Sequence, residues 1–408
     1  MNQTASRLSP TVAVILMLAL LTGLGQFASN VYLPALPAVS QSLAADMTQV
    51  QWTLAIFLAA LAISQLLFGP LSDRFGRRLP LLSGLVLYVL ASAGAALAQD
   101  ITTLMVARVL QGLGAGAALV VARAMTRDSF EGADLARISA LIMIVFGMVP
   151  GLSPLLGGVL TDLSGWPSVF WMCGLLGVVA IAGSLRLPET NQAPLATLAA
   201  RQVVADYRGV LAIGPFRRFA IPAALVIGSL SAFFAGSPAV LIDHLGISAT
   251  EFGFYPPIAI LGFFIGGMLA RRFAGGRSPW QLASAGLLIM LAGTGVMVLP
   301  LLFGFVHKYQ IAGAMVVHVS GLGLAMPTLM AAALSSISRN VGVASAVLGF
   351  SQMAIGALST VLVSLLQPLL PVLAFPLVML LFTGAAVVTL GRAPASAAVN
   401  VGEAGHVR

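Results

Sequence analysis

Two ionisable side chains stand near the middle of long apolar stretches. Arg108 lies in the run 102–122 and His318 in the run 309–333. A guanidinium keeps its proton, so Arg108 is a fixed cation that must face a cavity or hydrogen-bonding partners. An imidazole exchanges its proton near neutral pH, so His318 is either a proton or substrate group or a neutral, hydrogen-bonded core residue. A third feature is a polar stripe. Thr22, Gln26 and Asn30 are spaced four apart and share one face of a helix, the pattern expected of a cavity wall. Nothing points to an enzyme. The chain shows no nucleophile–base pair, nucleotide loop or cluster of metal ligands, which also argues against ATP-driven work, and no cofactor is expected. The glycines at 112, 114 and 116 lie inside an apolar helix with no strand before it, which rejects a phosphate loop.

The elements that position these groups follow from composition. Hydrophobic residues make up 59% of the 408 and charged residues 8%, against about 25% charged in soluble proteins. A water-soluble protein is excluded. A helix needs about 20 apolar residues to cross the bilayer core. The sequence predicts twelve: 11–36, 49–69, 79–98, 102–122, 136–160, 166–186, 217–240, 252–270, 279–301, 309–333, 341–366 and 371–391. Most connections are short. The exception, 187–216, carries Pro188, Pro194, Pro215 and several charges. It separates an N-terminal six-helix bundle (1–186) from a C-terminal one (217–391), with a tail at 392–408. Two sets of six spans are the layout of a carrier built from repeats. The opening apolar run is too long for a signal peptide, and the single cysteine, Cys173, excludes an internal disulfide.

The net charge of +8 is explained by position. With the N-terminus inside, the even connections and their helix ends hold Arg74, Arg77, Arg78, Arg123, Arg127, Arg137, Arg186, Arg201, Arg208, Arg217, Arg218, Arg271, Arg272, Arg277 and Arg339. The tails add Arg7, Arg392 and Arg408. The odd connections hold only Lys308. This bias places both termini in the cytoplasm and removes any need for a nucleic-acid partner.

The run GPLSDRFGRR, Gly69 to Arg78, closes segment 2. Segment 8 ends in an echo of it, Gly267-Met-Leu-Ala-Arg271-Arg272-Phe-Ala-Gly-Gly276-Arg277, the trace of an internal duplication. The first run resembles the loop 2–3 signature of the major facilitator superfamily. Segment 4 carries Arg108-Val-Leu-Gln111-Gly112, similar to the family's RxxQG motif. Segment 5 carries Gly147, Pro150, Gly151, Pro154, Gly157 and Gly158, which resemble the antiporter motif. Segment 1 ends Ser29-Asn30-Val-Tyr32-Leu-Pro34-Ala-Leu-Pro37, like the opening of the Bcr/CflA-type drug-resistance branch. The stretches at 122–128, 187–190 and 344–350 fit that branch too. The resemblance covers nearly the whole chain.

It implies a twelve-helix, all-α integral membrane fold in a bacterial inner membrane. It implies a monomeric, proton-coupled exporter of small amphipathic drugs, such as amphenicols, working by alternating access. An endogenous-metabolite exporter, a proton-independent facilitator and a non-transporting scaffold are the alternatives. The gating cluster is Gly69, Asp73, Arg74, Gly76, Arg77, Arg78 and Asp128, with Gly69 allowing close helix approach and Asp73 accepting hydrogen bonds or facing a helix dipole. Gly147 and Gly151, and Gly262 and Gly266 in segment 8, are one turn apart and suit backbone-to-backbone packing. Pro150 and Pro154 bend segment 5.

Cavity residues are expected to be Thr22, Gln26, Asn30, Tyr32, Arg108, Gln111 and His318. Phe233, Phe234 and Tyr255 would add aromatic surface, and Met143, Met148 and Met353 adaptable thioethers. One departure stands out. Where the family pattern has an acid the chain has Asn30, and none of its twelve acids falls at mid-membrane. An amide cannot exchange a proton. Three readings stay open: Asn30 is a replacement that fixes a protonated-like state; His318 or an acid at a membrane edge carries the proton; or transport runs without protons.

Overall fold

The computed structural model describes residues 11–191, 200–273, 275–337 and 341–391. Arg7, Pro194, Arg339, the tail 392–408 with Arg392, Glu403 and Arg408, and Ala274 of the segment 8 echo lie outside them. All regular structure among the described residues is helical. The principal helices are α1 (Val12–Asn30), α2 (Met47–Phe75), α3 (Arg78–Ala96), α4 (Ile101–Ser129), α5 (Gly132–Ser164), α6 (Pro167–Ser184), α7 (Gly214–Pro238), α8 (Tyr255–Phe273), α9 (Pro279–Leu302), α10 (Lys308–Ser335), α11 (Val341–Leu366) and α12 (Ala374–Leu390).

Among the described residues, eleven helices are long and apolar enough to cross a membrane. In this count α1 joins the short helices that follow it as Val12–Ser42, α7 joins a π-helical turn as Gly214–His244, and α8 joins Ala249–Gly253. The expected twelfth, α12, has only 17 residues, about 25 Å of helix. Turns through Pro371 delay its start, and Gly391 at φ +67° ends it. Elsewhere helices outrun the apolar segments that predicted them. α4 continues past 122 to Ser129 and α5 spans 132–164 instead of 136–160. At the start of α4, Asp100 Oδ1 caps the helix by accepting from Thr103 N. Within the stretch read as linker, Ala200–Ala212 is itself a helix, and its Tyr207 hydroxyl donates to the Leu66 carbonyl of α2.

Packing repeats six helices on. α4 lies between α2 and α3, and α10 between α8 and α9; α1 packs on α5, and α7 on α11. Glycines set the closeness. A Cβ on Gly112 would stand 2.5 Å from the Phe57 carbonyl of α2, and one on Gly114 2.5 Å from the Gly84 carbonyl of α3. Gly262 and Gly266 hold α8 against backbone carbonyls of α10. Without a hydrophobic drive between helices in lipid, such backbone approach supplies much of the association. The first six helices meet the last six along α2–α11 and along α5 with α8.

Candidate functional site

A cavity of about 290 Å³ lies between the two sets of helices. α1 turns Thr22, Gln26, Ser29 and Asn30 onto its wall; α7 adds Phe233 and Phe234, α5 Met143, and α11 Met353. Thr22 is satisfied by its own helix, donating to the Leu18 carbonyl at 2.6 Å. Asn30 is held more tightly. Its Nδ2 donates to the Gln26 carbonyl at 2.7 Å, to Gln26 Oε1 at 3.3 Å and contacts Ser29 Oγ at 3.2 Å. A carbonyl only accepts, so the amide nitrogen must face it. Asn30 Oδ1 is thereby left buried and without a partner. Two glutamines that sequence reasoning passed over, Gln65 of α2 and Gln352 of α11, also line the cavity, each with its Nε2 unpartnered.

The structure separates Arg108 from this space. The guanidinium is fully buried, 4.0 Å from the Phe57 ring centroid, 4.9 Å from Tyr32 and 5.7 Å from Phe170. Its Nη1 donates to Gln111 Oε1 at 2.6 Å and to the Ala28 carbonyl of α1 at 3.4 Å. Gln111 Nε2 donates in turn to Ser92 Oγ, and the Tyr32 hydroxyl bonds Thr53 Oγ1. Arg108, Gln111 and Tyr32 therefore form a nest packed against α1 and are not cavity residues, contrary to expectation. Three ring faces offset part of the cost of burying this cation, while its Nε and Nη2 stay without a hydrogen-bond partner.

His318 is likewise off the cavity. Its Nδ1 lies 2.9 Å from Thr294 Oγ1 and 3.1 Å from the Met290 carbonyl, and its Nε2 3.4 Å from Ser229 Oγ. These partners come from α7 and α9, and the ring is fully buried among them. Tyr255 is buried at the start of α8 and Met148 is exposed on the outer surface of α5; neither lines the cavity. No carboxylate lines it among the described residues. Two of the acids at the helix ends have structural partners: Asp162 accepts from Thr250 N, and Glu251 pairs with Lys308.

The glycines of α5 divide. Gly147 faces open space on the cavity wall and Gly151 meets the Ile260 side chain, so the expected backbone packing of this pair is absent. Gly157 and Gly158 take that role, against the carbonyls of Val31 and Ala249. The helix continues through Pro150 and Pro154. Nearby, four hydrogen bonds join the two sets of helices: Thr48 to the Ser364 carbonyl, Gln51 to the Ala235 carbonyl and to Gln367, and Thr250 N to Asp162.

At the opposite, arginine-rich end, Arg77 is buried. Its Nε donates to Asp128 Oδ2 at 2.8 Å, and its Nη1 donates to Asp73 and to Ser72 Oγ. Burial works against its charge, but the hydrogen bonds to Asp128 and Asp73 outweigh that and raise its pKa. Glu189, not singled out as a gating residue, accepts from the backbone N–H groups of Arg77 at 2.8 Å and Arg78 at 3.0 Å. Burial would raise its pKa; these bonds and those from Asn191 and Thr190 lower it overall. Glu189, not Asp73, is thus the anion at the start of α3.

Gly76, at φ +82°, makes room: a Cβ there would lie 2.7 Å from Glu189 Oε2. Gly69 gives no close approach, since a Cβ would meet nothing. It borders a second cavity of about 350 Å³, which also touches Asp73, Arg77, Arg123 and Arg127. Arg74 and Arg78 are exposed; Arg74 stacks on Phe75, and Arg78 donates to the Leu185 carbonyl.

Comparison with known proteins agrees with this architecture. The family model described as Major Facilitator Superfamily matches residues 18–360. A chloramphenicol resistance protein of Pseudomonas aeruginosa is 31% identical over 368 residues, covering 88% of this chain and 85% of its own. Multidrug resistance protein D of Escherichia coli (strain K12) is 28% identical over 345 residues, covering 83% and 85%. Among solved structures, a D-xylose-proton symporter superposes with a TM-score of 0.73 at 16% identity, over 94% of this chain and 98% of the other.

Proposed function

We propose that this chain, which belongs to the major facilitator superfamily and is a transporter and not an enzyme, exports small amphipathic drugs by alternating access. The observation that carries the reading is the central cavity. It has a mostly apolar wall of aliphatic, aromatic and thioether side chains, set with a few amides and hydroxyls and one arginine. Such a surface takes varied apolar ligands and orients them with few polar contacts. The names of the resistance proteins quoted above point the same way. The arginine-rich end faces the cytoplasm, both termini lie there, and the protein sits in the bacterial inner membrane as a monomer of two six-helix bundles. Hydrogen bonds close the outer end, so the cavity communicates inward through the second cavity.

Proton coupling depends on position 30. Among the described residues the cavity wall holds no carboxylate or imidazole, and His318 is enclosed by α7, α9 and α10. With Asn30 in place the carrier works without protons, and an acid there supplies the coupling. The test is a resistance and uptake screen of cells overproducing the chain beside its Asn30→Asp variant, followed by proton-release measurements on both purified proteins. Protection against neutral amphipathic antibiotics, with substrate-induced proton release only in the variant, is the expected result. No protection at normal expression sinks the export reading. Proton release from both proteins or from neither removes position 30 as the coupling site.

A further inference from the structure

Among the described residues, the single charged side chain on the wall of the central cavity is Arg123 of α4. It also lines the second cavity, so its guanidinium stands where the two spaces meet. Of the acids of that second cavity, Asp73 and Asp128 hold Arg77, and Asp206 accepts from the neutral Gln202 on its own helix. The charged neighbour felt by Arg123 is Arg127, of the same sign. Deeper in, three amide atoms on the wall are buried and unpartnered: Asn30 Oδ1, an acceptor, and the Nε2 donors of Gln65 and Gln352. Buried polar atoms left unpaired are costly, so each is a place for a polar group of a ligand.

We propose that this cavity selects neutral and anionic amphipaths and rejects cationic ones, with Arg123 as the specificity-determining residue. The inference rests on the export reading and narrows its substrate class. A carboxylate or similar anion entering from the arginine-rich end meets a guanidinium able to bind it through two parallel N–H donors. A neutral ligand uses the amide acceptor and donors. An organic cation loses its hydration in an apolar space and finds no carboxylate, only Arg123 repelling it at low dielectric. The ring faces of Phe233 and Phe234 offer a cation a weaker attraction than that repulsion.

Three probes that share one fluorophore test this: dansylamide (neutral), dansylglycine (anionic) and dansylcadaverine (cationic). Each is titrated by fluorescence into the full-length protein in lipid nanodiscs, with empty nanodiscs as blank. The expected result is dansylcadaverine binding at least about 10-fold more weakly than dansylglycine. Arg123→Gln brings the two within about threefold, Arg123→Lys keeps the gap, and Arg123→Glu reverses it. The proposal is overturned if the unaltered protein binds both charged probes equally, or if the gap survives in Arg123→Gln. Folding is monitored by gel filtration, and the Lys variant separates loss of charge from loss of structure. Efflux of dansylamide from proteoliposomes reads the export function separately. Efflux without charge preference removes the inference and leaves export standing; charge preference without efflux does the reverse. If none of the three probes binds, both fall.

Discussion

The two arginine clusters at the ends of α2 and α8 occupy the same place in their respective halves, and they behave differently. In the first, Arg77 is buried and bound to Asp73 and Asp128, while Glu189 caps the backbone of the next helix. In the second, Arg271 and Arg272 are exposed, and Arg277 lies 4.9 Å from the Phe273 ring. The second run has no acid between 267 and 278. Arginines are common to both; what sets the first apart is carboxylates brought by other elements. Asp128 comes from the end of α4 and Glu189 from the stretch after α6. The network ties together parts of the first six helices, and Arg127 extends it toward Gly342 of α11, where an added Cβ would lie 3.2 Å from its Nη1.

Removing the centre of this ion-pair network is the most damaging change. Arg77→Ala removes the cation from Asp73 and Asp128, leaving Asp128 its bond from Thr190, and costs about 3 kcal/mol, the low end for breaking a buried pair because Asp73 stands 47% exposed. Thermal unfolding of the purified protein and drug efflux both report it; an unchanged melting temperature reduces the cluster to a topology marker. Gly76→Ala comes next, at about 2 kcal/mol, because φ +82° with ψ 170° is glycine territory. Its added methyl also pushes on Glu189. A smaller effect follows Glu189→Gln, about 1 kcal/mol from weaker bonds to the α3 N–H groups.

Glu189 gives the comparison a pH signature. Its pKa is depressed below the ordinary 4.5 in the folded state, so its contribution is present above pH 4.5 and is lost as pH falls through the folded value. Stability curves of the unaltered protein and of Glu189→Gln converge in that acid range; parallel curves contradict the capping role. The smallest effect belongs to the other cluster. Arg272→Ala leaves the melting temperature unchanged, since an exposed cation without a fixed partner contributes little. A clear loss of stability there restores equivalence between the two halves.

Several residues show where sequence reading succeeds and stops. The stripe Thr22, Gln26, Asn30 was legible because a helix face needs only a period. Arg123 was counted among the loop arginines because the apolar run ends at 122; the helix itself runs on to Ser129 and turns it inward. Gln65 and Gln352 carry no charge and so did not stand out, although an uncompensated amide in an apolar helix is the available signal. Gly69 and Gly147 read as packing glycines but face open space, while Gly157 and Gly158 touch backbone. A small residue permits close approach from any direction, and the neighbour's position decides whether it is used.

The sequence alone determined that the chain lives in a membrane as many apolar runs, and which connections gather arginine, because length, hydrophobicity and charge bias act one segment at a time. It could not determine which side of each helix meets a partner, a cavity or lipid. Lipid and protein interior are equally apolar, so no hydrophobic stripe marks the difference. Only the packed structure placed Arg108 among rings behind α1 and Arg123 at the mouth of the cavity. Two arginines on one helix thereby came to lie in opposite settings, one packed against rings and one on a cavity wall.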